Sequence, residues 1–331
     1  MYRPGPRNLI TDIPGLTVGH HTDERVRSGV TVLRPDGAWR AGVDVRGGGP
    51  GGREIAALEP ENMIGELHAL VLSGGSVFGL ATADGVAAAL SRQNVGVRVQ
   101  PWTPAIPVVP AAVLHDLANH GDKDWGLQPP YRQWGIEALA AASEDFELGA
   151  VGAGRGALAG TRPGGLGSAS LDLGNGLVVG ALVAVNPVGS VYMDDGKTFW
   201  AWPWEIDHEF GGQRPSPEVT HHDPIPDLSR LETLGRLQAG ANTTLAVVAC
   251  NAALSTAECK RLAIMAQDGI ARAIRPAHLP FDGDTVFALA SGERPLEDGA
   301  RRPVTLSLLG AAAADCLARA IARGVHIAGK H

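Results

Sequence analysis

The sequence predicts an α/β fold, and three observations carry that expectation. Apolar, β-branched runs of strand length recur at 43–46, 68–72, 176–185 and 243–250. Alanine-rich stretches of helical length lie between and after them, at 77–92, 133–142, 255–276 and 306–323. The 331 residues include 44 Gly and 23 Pro, so tight turns and close backbone approaches join these elements.

A chain of this length buries a sizeable core, as one domain or two. Apolar residues make up 44% and charged residues 19%, which excludes a disordered chain. The formal net charge is −7 with no basic stripe, so no nucleic-acid partner is expected. Cys250, Cys259 and Cys316 are scattered and odd in number. They predict free thiols of a reducing, cytoplasmic compartment, with no disulfide framework and no metal site. The first fifteen residues lack an apolar stretch, so no signal peptide is expected. No apolar run is read as membrane-spanning, and no membrane partner is expected.

Taken in order, 9–18 and 28–33 predict two strands, with His20 and His21 in a polar, solvated loop between them. Val43-Asp44-Val45-Arg46-Gly47-Gly48-Gly49-Pro50 is a strand running into a glycine-rich loop. Such a loop brings backbone N–H groups to an anion or a carbonyl, or is simply a tight surface turn. Ser73-Gly74-Gly75-Ser76 joins a strand to a helix, and Ser76 suits the helix N-cap. The same order resembles a nucleophile elbow, but Phe78 stands where the second glycine belongs. Pro107 and Pro110 make 105–110 extended, and 116–131 is expected to be a long exposed loop. Gly152-Ala153-Gly154-Arg155-Gly156-Ala157 matches a dinucleotide pattern superficially. The glycines and Pro163 that follow deny it the necessary helix and suit the wall of a channel or site instead. Asn186-Pro187 closes the next strand, as a placed amide donor or an ordinary turn. Trp200, Trp202 and Trp204 predict a pocket wall, an oligomer contact or a core patch. The polar segment 203–240, with His221-His222-Asp223, reads as a solvated linker.

The linker ends at Gly240-Ala241-Asn242, and Thr243-Thr244 opens a buried strand. A self-processing hydrolase places its nucleophile at such a point. The Thr243 hydroxyl attacks the Asn242 carbonyl, the peptide shifts to an ester, and water cleaves it. Thr243 then carries a hydroxyl and a free α-amine titrating near pH ~8, nucleophile and base on one residue. Read alone, Asn-Thr is equally a common dipeptide at the start of a strand. Ser255-Thr256-Ala257-Glu258 is a capping box opening a helix. Asp282-Gly283-Asp284 stands at the mouth of the following strand. It reads as a turn, as a fragment of a calcium loop without its other ligands, or as two carboxylates serving a neighbouring ammonium and hydroxyl.

Together these stretches resemble the DmpA/β-aminopeptidase family of self-cleaving N-terminal-nucleophile hydrolases. The resemblance rests on Ile10-Thr11-Asp12-Ile13-Pro14-Gly15, Gly42-Val43-Asp44-Val45-Arg46-Gly47-Gly48 and Ser73-Gly74-Gly75-Ser76-Val77-Phe78-Gly79. It continues through Pro107-Val108-Val109-Pro110, Gly164-Gly165-Leu166-Gly167-Ser168, Val185-Asn186-Pro187, Asn242-Thr243-Thr244 and Asp282-Gly283-Asp284. The chain is most similar to the threonine-nucleophile branch, typified by nylon-oligomer hydrolases; other members carry serine and a Ser-Gly-Glu element at these positions. The resemblance implies a four-layer α/β/β/α sandwich, as in ornithine acetyltransferase. It also implies cleavage at Asn242–Thr243 into an α chain (1–242) and a β chain (243–331), and a homo-oligomer, often a tetramer, of such αβ protomers. Thr243 would be the nucleophile, Asn186 the oxyanion amide, and Asp282 and Asp284 the groups that orient the hydroxyl and amine. Gly47, Gly48, Gly74, Gly75, Ser76 and Arg162 would line the substrate. Gly160 occupies the place of a site tyrosine in some members. Thr161, followed by Arg162, occupies that of the nylon hydrolase's lysine. No cofactor is implied, and the expected substrate is a small amide, ester or short peptide. A serine hydrolase using Ser76, a non-catalytic binding relative and an acetyl-transferring relative are the alternatives.

Overall fold

The computed structural model describes residues 2–219, 221–231 and 242–330. Along the chain run β1 (Leu16–Asp23), β2 (Ser28–Pro35), β3 (Trp39–Val45), β4 (Gly52–Arg53), β5 (Glu66–Leu67), β6 (Leu70–Ser73) and α1 (Ala81–Arg92). Then come β7 (Ala111–Val113), α2 (Tyr131–Ala140), β8 (Leu158–Ala159), β9 (Arg162–Pro163), β10 (Gly165–Asp172) and β11 (Val178–Asn186). The chain finishes with β12 (Thr243–Ala252), α3 (Thr256–Ala273), β13 (Thr285–Arg294) and α4 (Arg301–Ala328).

Two mixed sheets stack face to face. One has the order β1-β2-β6-β7-β4, the other β10-β11-β12-β13-β3-β5. Leu33, Leu70 and Leu72 of the first meet Val43, Leu182, Val247 and Phe287 of the second in the central core. The outer face of the five-stranded sheet (Val30, Val32, Val71) packs on Val86 and Leu90 of α1 and Ala138 and Leu139 of α2. The outer face of the six-stranded sheet (Val183, Val248, Val286) packs on Leu262 and Ile270 of α3 and Leu317 and Ile321 of α4. The layers are therefore α/β/β/α, as the resemblance implied. With both sides of the second sheet covered, all ten residues of β12 are buried, which is why it lacks polar alternation. Layers approach closely through small residues: at Gly167 a Cβ would lie 1.9 Å from the Ala320 carbonyl oxygen of α4.

Several expectations need correction. His20 and His21 lie within β1, not in a loop. His20 sits edge-on to Phe146 with Nδ1 3.1 Å from Thr31 Oγ1, and burial pushes its pKa down to about 4. His21 stacks on Trp134. Only part of 9–18 is strand, because 10–12 form a 3-10 turn before β1. Ser76 caps no helix: it has φ +51 and starts a 3-10 turn, and α1 begins at Ala81. Asp116 and Tyr131, at the ends of the presumed exposed loop, are buried.

The start of 203–240 is core rather than linker. Phe210 is 2% exposed, and Glu209 binds Arg319, itself 1% exposed, with Nε···Oε1 2.6 Å. Arg319 also donates to the Ser170 carbonyl and to Asn8 Oδ1. Residues 232–241 of that segment lie outside the described residues. α4 spans 28 residues and by length and hydropathy is apolar enough to cross a bilayer, contrary to the sequence reading. Its alanine-rich face is instead packed against α3, β10 and β11.

Candidate active site

Strand directions bring four chain segments to one edge of the six-stranded sheet. β11 ends at Asn186, directly opposite Thr243 at the start of antiparallel β12. β13 runs parallel to β12 and begins at Thr285, so Asp282-Gly283-Asp284 enters at the same edge. β3 is antiparallel to β13 and pairs Val45 with Thr285, so Gly47 and Gly48 emerge there too.

Thr243 is 1% exposed, and its hydroxyl donates to the Asn242 carbonyl oxygen at 2.5 Å. The Gly283 N–H donates to the same oxygen at 2.8 Å. Gly283 must be glycine for this approach, since a Cβ would stand 2.6 Å from Thr243 Oγ1. Gly47 is likewise enforced: its Cβ would lie 2.3 Å from both the Asp282 carbonyl oxygen and the Asp284 nitrogen. The Gly49 N–H holds that Asp282 carbonyl at 2.8 Å, and the Gly48 N–H holds the Leu279 carbonyl at 3.3 Å. The glycine loop therefore braces the Asp-Gly-Asp turn.

Both carboxylates are buried and oriented by backbone donors. Asp282 accepts from the Val188 N–H at 3.2 Å and the Leu279 N–H at 2.9 Å. Asp284 accepts from the Thr244 N–H at 2.7 Å and the His278 N–H at 3.1 Å, and its Oδ2 lies 2.9 Å from His278 Nδ1. Burial first, and the neighbouring charge of Asp284 second, push Asp282 up to about 6. Asn186 is 2% exposed; its Oδ1 accepts from the Leu158 N–H at 2.9 Å and its Nδ2 donates to the His115 carbonyl at 3.3 Å.

Thr243, Asn186, Asp282, Asp284, Gly47 and Gly48 thus come together. Gly74, Gly75 and Ser76 are one step removed. They turn around buried Asp116, whose Oδ1 takes the Gly75 N–H at 2.8 Å, while the Ser76 N–H goes to Leu114. Arg162 is exposed on β9. The reading of the residues missed His278 and Arg230. Arg230 reaches the main-chain carbonyls of Leu158 and Pro187, a contact that leaves no pattern in sequence, whereas His278, on the Asp284 carboxylate, lies just four residues before Asp282. A cavity of about 870 Å³ has Leu158, whose N–H holds Asn186, in its wall with Arg27, Asn119 and Arg155. Among the described residues no group of three His, Cys, Asp or Glu is arranged to hold a metal ion.

This architecture, with its hydroxyl, amide and paired carboxylates at one sheet edge, is that of a layered α/β/β/α class of hydrolases. A β-aminopeptidase of Burkholderia sp. superposes with a TM-score of 0.71 at 26% identity, covering 98% of this chain and 88% of that one. The L-aminopeptidase/D-Ala-esterase/amidase of Ochrobactrum anthropi, a variant of the Ntn-hydrolase fold, superposes with a TM-score of 0.67 over 97% of this chain and 86% of its own; at 20% identity it speaks for the fold alone. The chain belongs to peptidase family S58, whose profile matches residues 8–331, and is a hydrolase of that family. An uncharacterized aminopeptidase of Mycobacterium tuberculosis is 43% identical over 334 residues, covering 96% of this chain and 93% of the relative. A 6-aminohexanoate-oligomer endohydrolase of Kocuria sp. is 28% identical, covering 95% and 84%.

Proposed function

We propose that this chain is the precursor of an amidohydrolase or aminopeptidase that cuts itself at Asn242–Thr243. The observation that carries this is the Thr243 hydroxyl lying 2.5 Å from the Asn242 carbonyl oxygen, with the Gly283 N–H on that same oxygen. Attack of Oγ1 on the Asn242 carbonyl carbon places negative charge on an oxygen already facing a backbone donor. Collapse expels the Thr243 nitrogen, which takes the hydroxyl proton and becomes the new α-amine. Water then cleaves the ester, leaving the Asn242 carboxylate and restoring the Thr243 hydroxyl.

In turnover the same hydroxyl attacks a substrate amide or ester, with the α-amine as its base. Asp282 holds the ammonium form, Asp284 fixes the start of β12 through the Thr244 N–H, and Asn186 supplies the oxyanion amide. Gly47 and Gly48 keep these groups in register. Gly74, Gly75, Ser76 and Arg162 contribute to the outer wall. The substrates are short peptides, amino-acid amides or esters, or ω-amino acid oligomers, in keeping with the activities named for the similar proteins. The working form is a homo-oligomer, a tetramer of αβ protomers, in the cytoplasm.

Thr243→Ala tests the reading. The variant is expected to remain a single chain and to hydrolyse no amino-acid amide; cleavage or hydrolysis at the wild-type rate contradicts it.

A further inference from the structure

We infer that Arg230 is a positioning residue for this reaction, and that residues 226–231 stay docked at the site after the chain is cut at Asn242–Thr243. The inference rests on the nucleophile reading above and goes beyond it.

The segment before the cut is seated on the two turns that hold the site. The Arg230 backbone N–H donates to the Val188 carbonyl at 2.9 Å. Its Nη2 donates to the Pro187 carbonyl at 2.9 Å and to the Leu158 carbonyl at 3.1 Å. These carbonyls belong to residues whose own neighbourhoods fix the reacting groups. The Leu158 N–H holds Asn186 Oδ1, the Val188 N–H holds Asp282 Oδ1, and Pro187 directly follows Asn186. The guanidinium therefore ties the turn at 158–160 to the turn at 186–188, with the oxyanion amide between them. Both bonds leave one nitrogen, whose two N–H groups are held splayed in the guanidinium plane; the compact, freely rotating ammonium of a shorter lysine does not reproduce that fixed geometry.

The seat is shaped for this segment. The Thr161 N–H takes the Leu228 carbonyl at 2.9 Å, and the Ser229 N–H takes that of Pro226 at 2.9 Å. Gly160 has φ +56, and a Cβ there would stand 2.2 Å from the Leu228 oxygen. Glycine at 160 thus makes room for the segment. Pro226 and Ser229 are buried. Arg230 remains a cation at neutral pH, its pKa lowered by burial only to about 10, with Asp282 opposing the shift. Asp282 in turn faces Asp284 and His278 from its own turn and Arg230 from the docked segment.

The test uses Arg230→Ala and Arg230→Lys in the full chain. For processed Arg230→Ala acting on an amino-acid amide, kcat is expected to fall by roughly 100-fold with KM little changed, as for a misplaced constellation. Added guanidinium at sub-denaturing concentration restores much of the loss, and Arg230→Lys does not. Unchanged or raised kcat overturns the inference and makes the segment ornamental or a plug. Lost activity without guanidinium recovery also overturns it and makes the role merely structural. A second readout needs no activity. In uncut Thr243→Ala, adding Arg230→Ala should expose the Leu158 and Val188 amides to hydrogen exchange while the β11–β12 ladder stays protected. Unchanged protection contradicts the clamp even in a chain that never processes. Failure of the wild type to cleave, with the clamp intact by exchange, instead counts against the nucleophile reading alone.

Discussion

Gly283 has no space for a side chain, because Thr243 Oγ1 occupies the place a Cβ would take. Gly283→Ala is therefore expected to slow self-cleavage by about 100-fold, the penalty of displacing a hydroxyl from attack geometry. The time course of fragment appearance on a denaturing gel measures it. Asn186 has a different task, and Asn186→Ala should lower kcat for amide hydrolysis by roughly 10²–10³-fold as an oxyanion donor is lost. Steady-state kinetics on the processed variant decide this. Asp282 keeps its proton up to about pH 6, above the ordinary carboxyl value of 3.8. A folded pKa above the unfolded one means that the proton stabilises the folded state. This contribution is complete below about pH 4 and is lost as pH rises through about 6. The ionised form is the one that holds an ammonium, and the ammonium released by the cut pulls the Asp282 pKa below its value in the uncut chain, so the acid limb of turnover should lie below pH ~6 and Asp282→Asn should remove it. The positions of Thr243, Asn186 and the Asp-Gly-Asp turn at strand ends were legible in the sequence, and their proposed roles only through the family resemblance. Arg230 was not, since it engages backbone carbonyls of residues distant in sequence, and a lone His278 beside Pro280 gives no sign that it binds the Asp284 carboxylate.

β11 and β12 of the six-stranded sheet announce themselves as unbroken apolar runs because helices cover one face and a second sheet the other, whereas β10, built on Gly165, Gly167, Ser168 and Ser170, does not. The second half of β1 is hidden, because His20, buried with Nδ1 on Thr31 across the strand pair, looks polar in isolation. The core part of 203–240 is hidden for a related reason: Glu205 and Glu209 look like surface charges until Arg214, Arg319 and Arg323 meet them. Glu209→Ala leaves Arg319 as an uncompensated buried cation and should lower the unfolding free energy by about 3–5 kcal/mol in a urea titration. α4 starts earlier than its alanine run suggests, since Pro303 is tolerated in the first turn of a helix beginning at Arg301.

Across the whole molecule, the proposed cut divides the six-stranded sheet between two chains. β12, β13, α3 and α4 fall in the fragment from Thr243 onward, yet β12 pairs with β11 and β13 with β3. The fragments are therefore expected to co-elute in native size exclusion and to separate only in denaturant; native separation contradicts a shared sheet. The four-layer order was legible only through family resemblance, because strand-and-helix alternation alone fits many α/β arrangements. The measurement that tests the central claim most directly is the denatured intact mass of freshly purified protein, repeated after incubation at neutral pH. The account predicts that the 34.3 kDa species gives way to two fragments meeting at Asn242–Thr243, their masses summing to the chain plus one water. A single 34.3 kDa species that persists, in a preparation that hydrolyses amides at full rate, contradicts it.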